Sequence, residues 1–80
     1  MKRKINDKII KIIEDTFNVK INDSYEEISS DTIEEWDSLG QINLIMAIEK
    51  YFDVKFPTEL IPLMDSAEKI QEQLEKMGKI

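Results

Sequence analysis

Among the 80 residues of this chain, Ser38 is the side chain best placed for covalent chemistry, within Trp36-Asp37-Ser38-Leu39-Gly40 where a long acidic stretch meets an apolar run. A serine at the head of a helix lies among backbone N–H groups that have no intrahelical partner, so a phosphodiester on its oxygen would sit at the positive helix end. Small Gly40 would leave the approach to that oxygen open, and Asp37 could take over the N-cap role from a modified serine. A purely structural reading competes, because Ser38 and Gln41 by themselves satisfy a capping box. A hydrolase elbow, G-x-S-x-G, fits poorly: Trp36 replaces the first glycine, the chain has no histidine, and no strand precedes the serine.

What the chain lacks narrows the chemistry further. With neither cysteine nor histidine, disulfides, thiol nucleophiles, Ser-His pairs and the commonest zinc ligands are all excluded. No D-x-D-x-D-G calcium loop occurs among the acidic residues, so no metal site is expected. A carboxylate-only enzyme would need a substrate cleft that a small chain with few aromatic residues can hardly build, and the expectation is a protein without catalytic residues of its own.

Charge is distributed unevenly. The formal net charge is −6, yet between Ile21 and Gly40 stand Asp23, Glu26, Glu27, Asp31, Glu34, Glu35 and Asp37 with no Lys or Arg. The first twenty residues run the other way, with Lys2, Arg3, Lys4, Lys8, Lys11 and Lys20 against Asp7, Glu14 and Asp15. This polarity suits basic protein partners and argues against nucleic acid, while charge alone leaves open a merely solvated acidic loop. Polar residues interrupt the apolar ones after Lys4, leaving neither a signal-peptide core nor a membrane-spanning run. The expectation is a cytoplasmic monomer with no membrane partner, and one domain over residues 1–80.

The elements that must position Ser38 follow from apolar spacing. Ile5, Ile9, Ile10, Ile12, Ile13 and Phe17 form one helical stripe, with Asp7, Lys11, Glu14 and Asp15 opposite it, and the first helix ends near Phe17 or Asn18. From Asn18 to Asp37 no period holds, and Ile21, Tyr25, Ile28, Ile33 and Trp36 are spaced to pin an irregular loop onto a core. A second helix from Ser38 to Phe52 is apolar nearly all round, which predicts a place in the middle of the others. After a break from Asp53 to Thr58, Thr58 could cap a short turn through Glu59, Leu60 and Ile61 that Pro62 limits. Asp65 and Glu68 then read as a capping box, and Ala67, Ile70, Leu74 and Met77 as a narrow stripe up to Gly78. No internal repeat, low-complexity tract or linker stands out. The predicted fold is all-α: a small bundle of three main helices plus a short third helical segment, with a long acidic loop between the first and second helices.

Asp37-Ser38-Leu39, followed by Ile42, Leu44, Ile45, Met46, Ala47, Ile48, Glu49 and Phe52, resembles the attachment region of acyl carrier proteins, and the order of elements is similar over the whole chain. The resemblance implies a phosphopantetheine arm that a phosphopantetheinyl transferase moves from coenzyme A onto Ser38 in a magnesium-dependent step, with Asp37 and Leu39 in the docking motif. It also implies that Glu34, Glu35, Trp36, Gly40, Gln41 and Asn43 face partners: the transferase, an acyl- or aminoacyl-loading enzyme, and a downstream synthase or transferase. Ile45, Ile48, Phe56, Ile61 and Met64 fall where such carriers line an acyl cavity. Phe56 and Ile61 are bulkier than is usual there and Pro62 should stiffen the segment, so the resemblance predicts a partly filled cavity and short or polar cargo. Carriers of fatty-acid synthesis usually have acidic residues soon after D-S-L and near the position of Asn43, whereas this chain has Gly40, Gln41 and Asn43. Its W-D-S-L-G form looks more like freestanding carriers of polyketide, peptide or surface-glycan assembly. The alternative is an unmodified acidic helical module that binds a basic partner and uses Ser38 only as a cap.

Overall fold

Each α-helix of the chain begins at a short polar side chain that accepts a backbone N–H from the first turn. Asn6 accepts from Lys8 N and opens α1, Asp7–Phe17; Asp37 accepts from Gly40 N and opens α2, Ser38–Phe52; Ser66 accepts from Lys69 N and opens α3, Ala67–Lys76. These elements come from a computed structural model that describes residues 4–22 and 27–80. Between α2 and α3 lies a 3₁₀ helix, Thr58–Leu63, which follows Pro57 and has no side-chain cap. The all-α architecture agrees with the apolar periodicity, and among the described residues the extended pairing is an isolated antiparallel bridge between Ser29 and Ser66. No described helix is long and apolar enough to cross a membrane.

Several local expectations need correction. The cap of α3 is Ser66, one residue after the Asp65 of the expected capping box, and Asp65 instead pairs with the ammonium of Lys69 at 3.1 Å on the surface. Thr58 caps nothing, and the 3₁₀ helix continues through Pro62 to Leu63, because the fixed φ of proline suits a helical turn and only its donor is lost. Met77 lies outside the core, while Gln71 joins it at 4 % exposure. The Gln71 carboxamide accepts from Asn6 N at 2.6 Å and donates to Lys4 O at 3.1 Å, so a polar residue on the buried stripe ties the start of the chain to α3.

The structure also exposes a repeat that composition hides. Ile13-Glu14-Asp15-Thr16-Phe17-Asn18-Val19-Lys20-Ile21 recurs as Ile48-Glu49-Lys50-Tyr51-Phe52-Asp53-Val54-Lys55-Phe56, and both copies do the same work. Asn18 and Asp53 end their helices in the left-handed conformation, with φ of 53° and 54°. The amide of Val19 donates to Glu14 O, and that of Val54 to Glu49 O. One turn on, the Glu14 carboxylate accepts from Ile21 N and the Glu49 carboxylate from Phe56 N, each at 2.8 Å. Glu14, assigned by periodicity to the solvated face, is therefore half-buried and folds the chain back after α1.

The core gathers Ile5, Ile9, Ile12, Ile13 and Phe17 with Leu44, Ile45 and Ile48 of α2 and Ala67, Ile70 and Leu74 of α3. The loop between α1 and α2 is pinned as its spacing predicts: Ile28 and Trp36 are buried, and Ile21 and Ile33 pack against the core. Tyr25 lies outside the described residues. Ser30 N donates to Asp65 O and Ala67 N to Ile28 O, so the loop is also stitched to the entry of α3. The expected central position of α2 does not hold. It packs on α1 and on the 3₁₀ helix, and this leaves Leu39, Ile42 and Met46 exposed at 68, 52 and 61 %. Too few elements surround α2 to cover its whole circumference.

Glu49→Ala should lower stability in urea unfolding by about 1 to 3 kcal/mol, because the Phe56 amide loses a charged acceptor. Glu72→Ala, on the exposed side of α3, should stay within about 0.5 kcal/mol.

Candidate functional site

The start of α2 separates the two roles that the sequence left entangled. Asp37 is the N-cap: its Oδ1 accepts from Gly40 N at 2.8 Å, and its carbonyl accepts from Gln41 N at 2.7 Å. Ser38 is the first helical residue, exposed, and its hydroxyl has no hydrogen-bond partner among the described residues. The capping box of Ser38 with Gln41 is therefore absent. Since Asp37 serves Gly40, the amides of Ser38 and Leu39 are the first-turn donors left open at this helix end.

Gln41 is committed elsewhere. Its Oε1 accepts from the indole Nε1 of Trp36, and its Nε2 donates to the carbonyls of Ile61 and, at 2.8 Å, Met64. One carboxamide thus joins α2, the acidic loop and the end of the 3₁₀ helix, with each bond worth about 0.5 to 1.5 kcal/mol net. Trp36 is 3 % exposed, its ring stacked on Phe17 with centroids 5.4 Å apart. Trp36 is thus buried rather than surface-presented, whereas Gln41 stays half-exposed beside the cleft with its carboxamide taken up by internal partners. The sequence holds a signal for Gln41 in retrospect: it lies one turn before Ile45 and Ile48 on the same helix face, where a polar residue needs internal partners.

Gly40 also acts inward. A Cβ built there would lie 2.5 Å from the carbonyl oxygen of Glu35 and 2.8 Å from a ring carbon of Phe17. Its small size lets the loop and α1 close onto α2, rather than clearing a path to Ser38. Of the other residues expected to face partners, Glu34, Glu35 and Asn43 are exposed, and Leu39 projects from the outer face of α2. Glu34, Glu35, Asp37 and Asp31 make an acidic rim with no ion pair among the described residues.

Ser38 lines an open cleft of about 560 Å³ together with Trp36, Asp37, Gln41, Ile42, Ile61 and Pro62, and Ser30 and Asp65 complete its wall. Of the five residues expected around an acyl cavity, Ile61 borders this cleft. Ile45, Ile48, Phe56 and Met64 are core residues buried together beyond it. Ile42 and Pro62 belong to the cleft without having been expected there.

No protein-family model, no curated protein and no solved structure matches the chain.

The geometry assigns stability effects by position. Asp37→Ala should cost about 0.5 to 2 kcal/mol as a lost cap, and Gly40→Ala about 1 to 3 kcal/mol as overpacking. Ser38→Ala should change stability by less than about 0.5 kcal/mol. Chemical denaturation of the three variants measures the ranking.

Proposed function

We propose that the chain is a carrier protein that holds acyl or aminoacyl intermediates on a phosphopantetheine arm attached to Ser38. The observation that carries this reading is the unpartnered, exposed hydroxyl of Ser38 at the first position of α2, beside an aspartate that caps the helix whether or not the hydroxyl is modified. Attachment would form a bond from the Ser38 oxygen to phosphorus while the bisphosphorylated adenosine half of coenzyme A departs, and it would cost the fold no hydrogen bond among those described. The arm, when bound, supplies the thiol that the chain itself lacks and carries cargo as a thioester. The open amides of Ser38 and Leu39 lie in the first turn at the positive end of α2 and would favour an anion on that oxygen.

The surrounding surface supports the same reading. The acidic rim of Asp31, Glu34 and Glu35 would draw basic partners, among them a phosphopantetheinyl transferase, a loading enzyme and a downstream synthase or transferase. The resemblance of the W-D-S-L-G form to freestanding carriers supports a role in polyketide, peptide or surface-glycan assembly rather than primary fatty-acid synthesis, and on this reading the protein acts as a cytoplasmic monomer that catalyses nothing itself. The uncovered apolar stripe of Leu39, Ile42 and Met46 favours a second reading, an unmodified module that binds a partner through this face.

Incubation with a phosphopantetheinyl transferase, magnesium and coenzyme A separates the two by intact mass. The carrier reading expects one arm per chain, lost in Ser38→Ala; arms on Ser24, Ser29, Ser30 or Ser66 of that variant, or no arm on the natural chain, would sink it. Reversal of Glu34 and Glu35 to Lys should cut the transferase kcat/KM by about tenfold or more at low salt, and the deficit should shrink as salt rises. Reversal of Glu68 and Glu72 should have little effect. Equal losses from the two pairs would show that the acidic rim steers nothing.

A further inference from the structure

The cleft that begins at Ser38 ends at a polar barrier. Along the inner face of α2 the residues run Ser38, Gln41, Ile45 and Ile48, so a chain extending inward from Ser38 meets the Gln41 carboxamide before it reaches the core. Gln41 spans the gap between α2 and the 3₁₀ helix by donating to the carbonyls of Ile61 and Met64, while Trp36 donates to it from the loop side. The 3₁₀ helix is otherwise lightly held: none of its residues is fully buried, it has no side-chain cap, Ile61 packs against the edge of the core, and its neighbours Phe56 and Met64 anchor its two ends. Opening the space above Ile45 and Met64 therefore requires that these particular hydrogen bonds break. A hydrocarbon chain offers nothing in exchange for them.

We infer that Gln41 is a gate that sets cargo length: its carboxamide latches the 3₁₀ helix to α2, keeps long acyl chains out of the core, and leaves short or polar groups in the open cleft beside Ile42, Ile61 and Pro62. This rests on the carrier reading of Ser38 and goes beyond it by naming the residue that selects. Gln41 is a positioning residue, acting through the backbone of Ile61 and Met64.

The test compares acetyl and octanoyl forms of the protein, each confirmed by mass as carrying one arm on Ser38, in the natural sequence, Gln41→Leu and Gln71→Leu. Cargo that buries itself only in the folded state must raise Tm. In the natural sequence the octanoyl and acetyl forms should melt within about 1 °C of each other, and in Gln41→Leu the octanoyl form should melt about 4 to 8 °C above its acetyl partner. Gln71→Leu removes a more deeply buried, hydrogen-bonded carboxamide on α3 that bonds the start of the chain rather than the 3₁₀ helix, and should lower both forms alike without separating them. Gln41→Glu, which keeps an acceptor for the Trp36 indole and loses both donations to the 3₁₀ helix, should reproduce the octanoyl gain if the leucine variant fails to fold. The single tryptophan gives a second signal: emission from Trp36 should match between acetyl and octanoyl forms of the natural sequence and differ between them in Gln41→Glu. An octanoyl gain of several degrees in the natural sequence, its absence in both Gln41 variants, or an equal gain in Gln71→Leu would overturn the gate. Failure of Ser38 to accept an arm at all appears in the mass measurement and overturns the carrier reading together with the gate.

Discussion

At Gly40 the backbone of α2, the carbonyl of Glu35 and the ring of Phe17 come closer than any β-carbon would permit. The rest of the site depends on that contact. It seats the end of the acidic loop against the first turn of α2, so that Asp37 reaches the Gly40 amide and the indole of Trp36 slides under the loop onto Phe17 and within reach of Gln41. A side chain at position 40 would push the loop outward, and the cap, the stack and the Gln41 bridge would all lose their register. The exposed hydroxyl of Ser38 is thus held by a frame whose parts lie beneath it rather than beside it.

The charges around that frame have two opposed effects on an anion at Ser38. Open amides at the helix end attract it, whereas Asp37, Glu34, Glu35 and Asp31 lie on the same surface and repel it. The attraction falls off within the first turn, while exposed charges act over about 8 Å at physiological salt. A phosphodiester at the oxygen itself would therefore gain from the helix, while an uncharged chain beyond it would be neither held nor repelled by these charges.

Much of this was legible in the sequence, and the failures share a cause. The helices were readable because long apolar stripes at helical spacing leave few alternatives, and the loop anchors Ile21, Ile28, Ile33 and Trp36 were readable because isolated apolar residues in an acidic stretch have nowhere else to go. Polar side chains that turn inward were misread. Glu14 falls on the solvated face by periodicity but accepts the amide of Ile21, Gln41 fits half of a capping box but bonds Ile61 and Met64, and nothing in the apolar spacing marks Glu49, which accepts from Phe56, or Gln71, which ties the chain start to α3. Periodicity records which face a residue occupies, and it is silent about carbonyls and amides brought near from distant segments. The recurrence of Ile-Glu-x-x-Phe-[Asn/Asp]-Val-Lys was visible in the letters all along. It acquires meaning once both glutamates are seen to bend the chain in the same way.

The uneven treatment of α2 also shows what stability does and does not require. A leucine at position 41 would bury apolar surface beside Ile45, but it would leave the Trp36 indole and two carbonyls without their partner, at about 1 to 3 kcal/mol for each group that stays buried, so apolar burial is not what this residue contributes. The carboxamide fixes geometry instead: it settles the height of the 3₁₀ helix above α2 by bonding two of its carbonyls at once. Insertion of four methylenes into the space beneath would return about 3 kcal/mol at roughly 0.8 kcal/mol each. Three broken hydrogen bonds, each costing about 1 to 3 kcal/mol when the groups stay buried and unpaired, would take back that amount or more. Displacing packed side chains adds a further 1 to 3 kcal/mol, roughly, to the cost. The inner face of α2 is consequently closed to hydrocarbon. Its outer face, with Leu39, Ile42 and Met46 uncovered, remains the apolar surface that another molecule can reach without disturbing the fold.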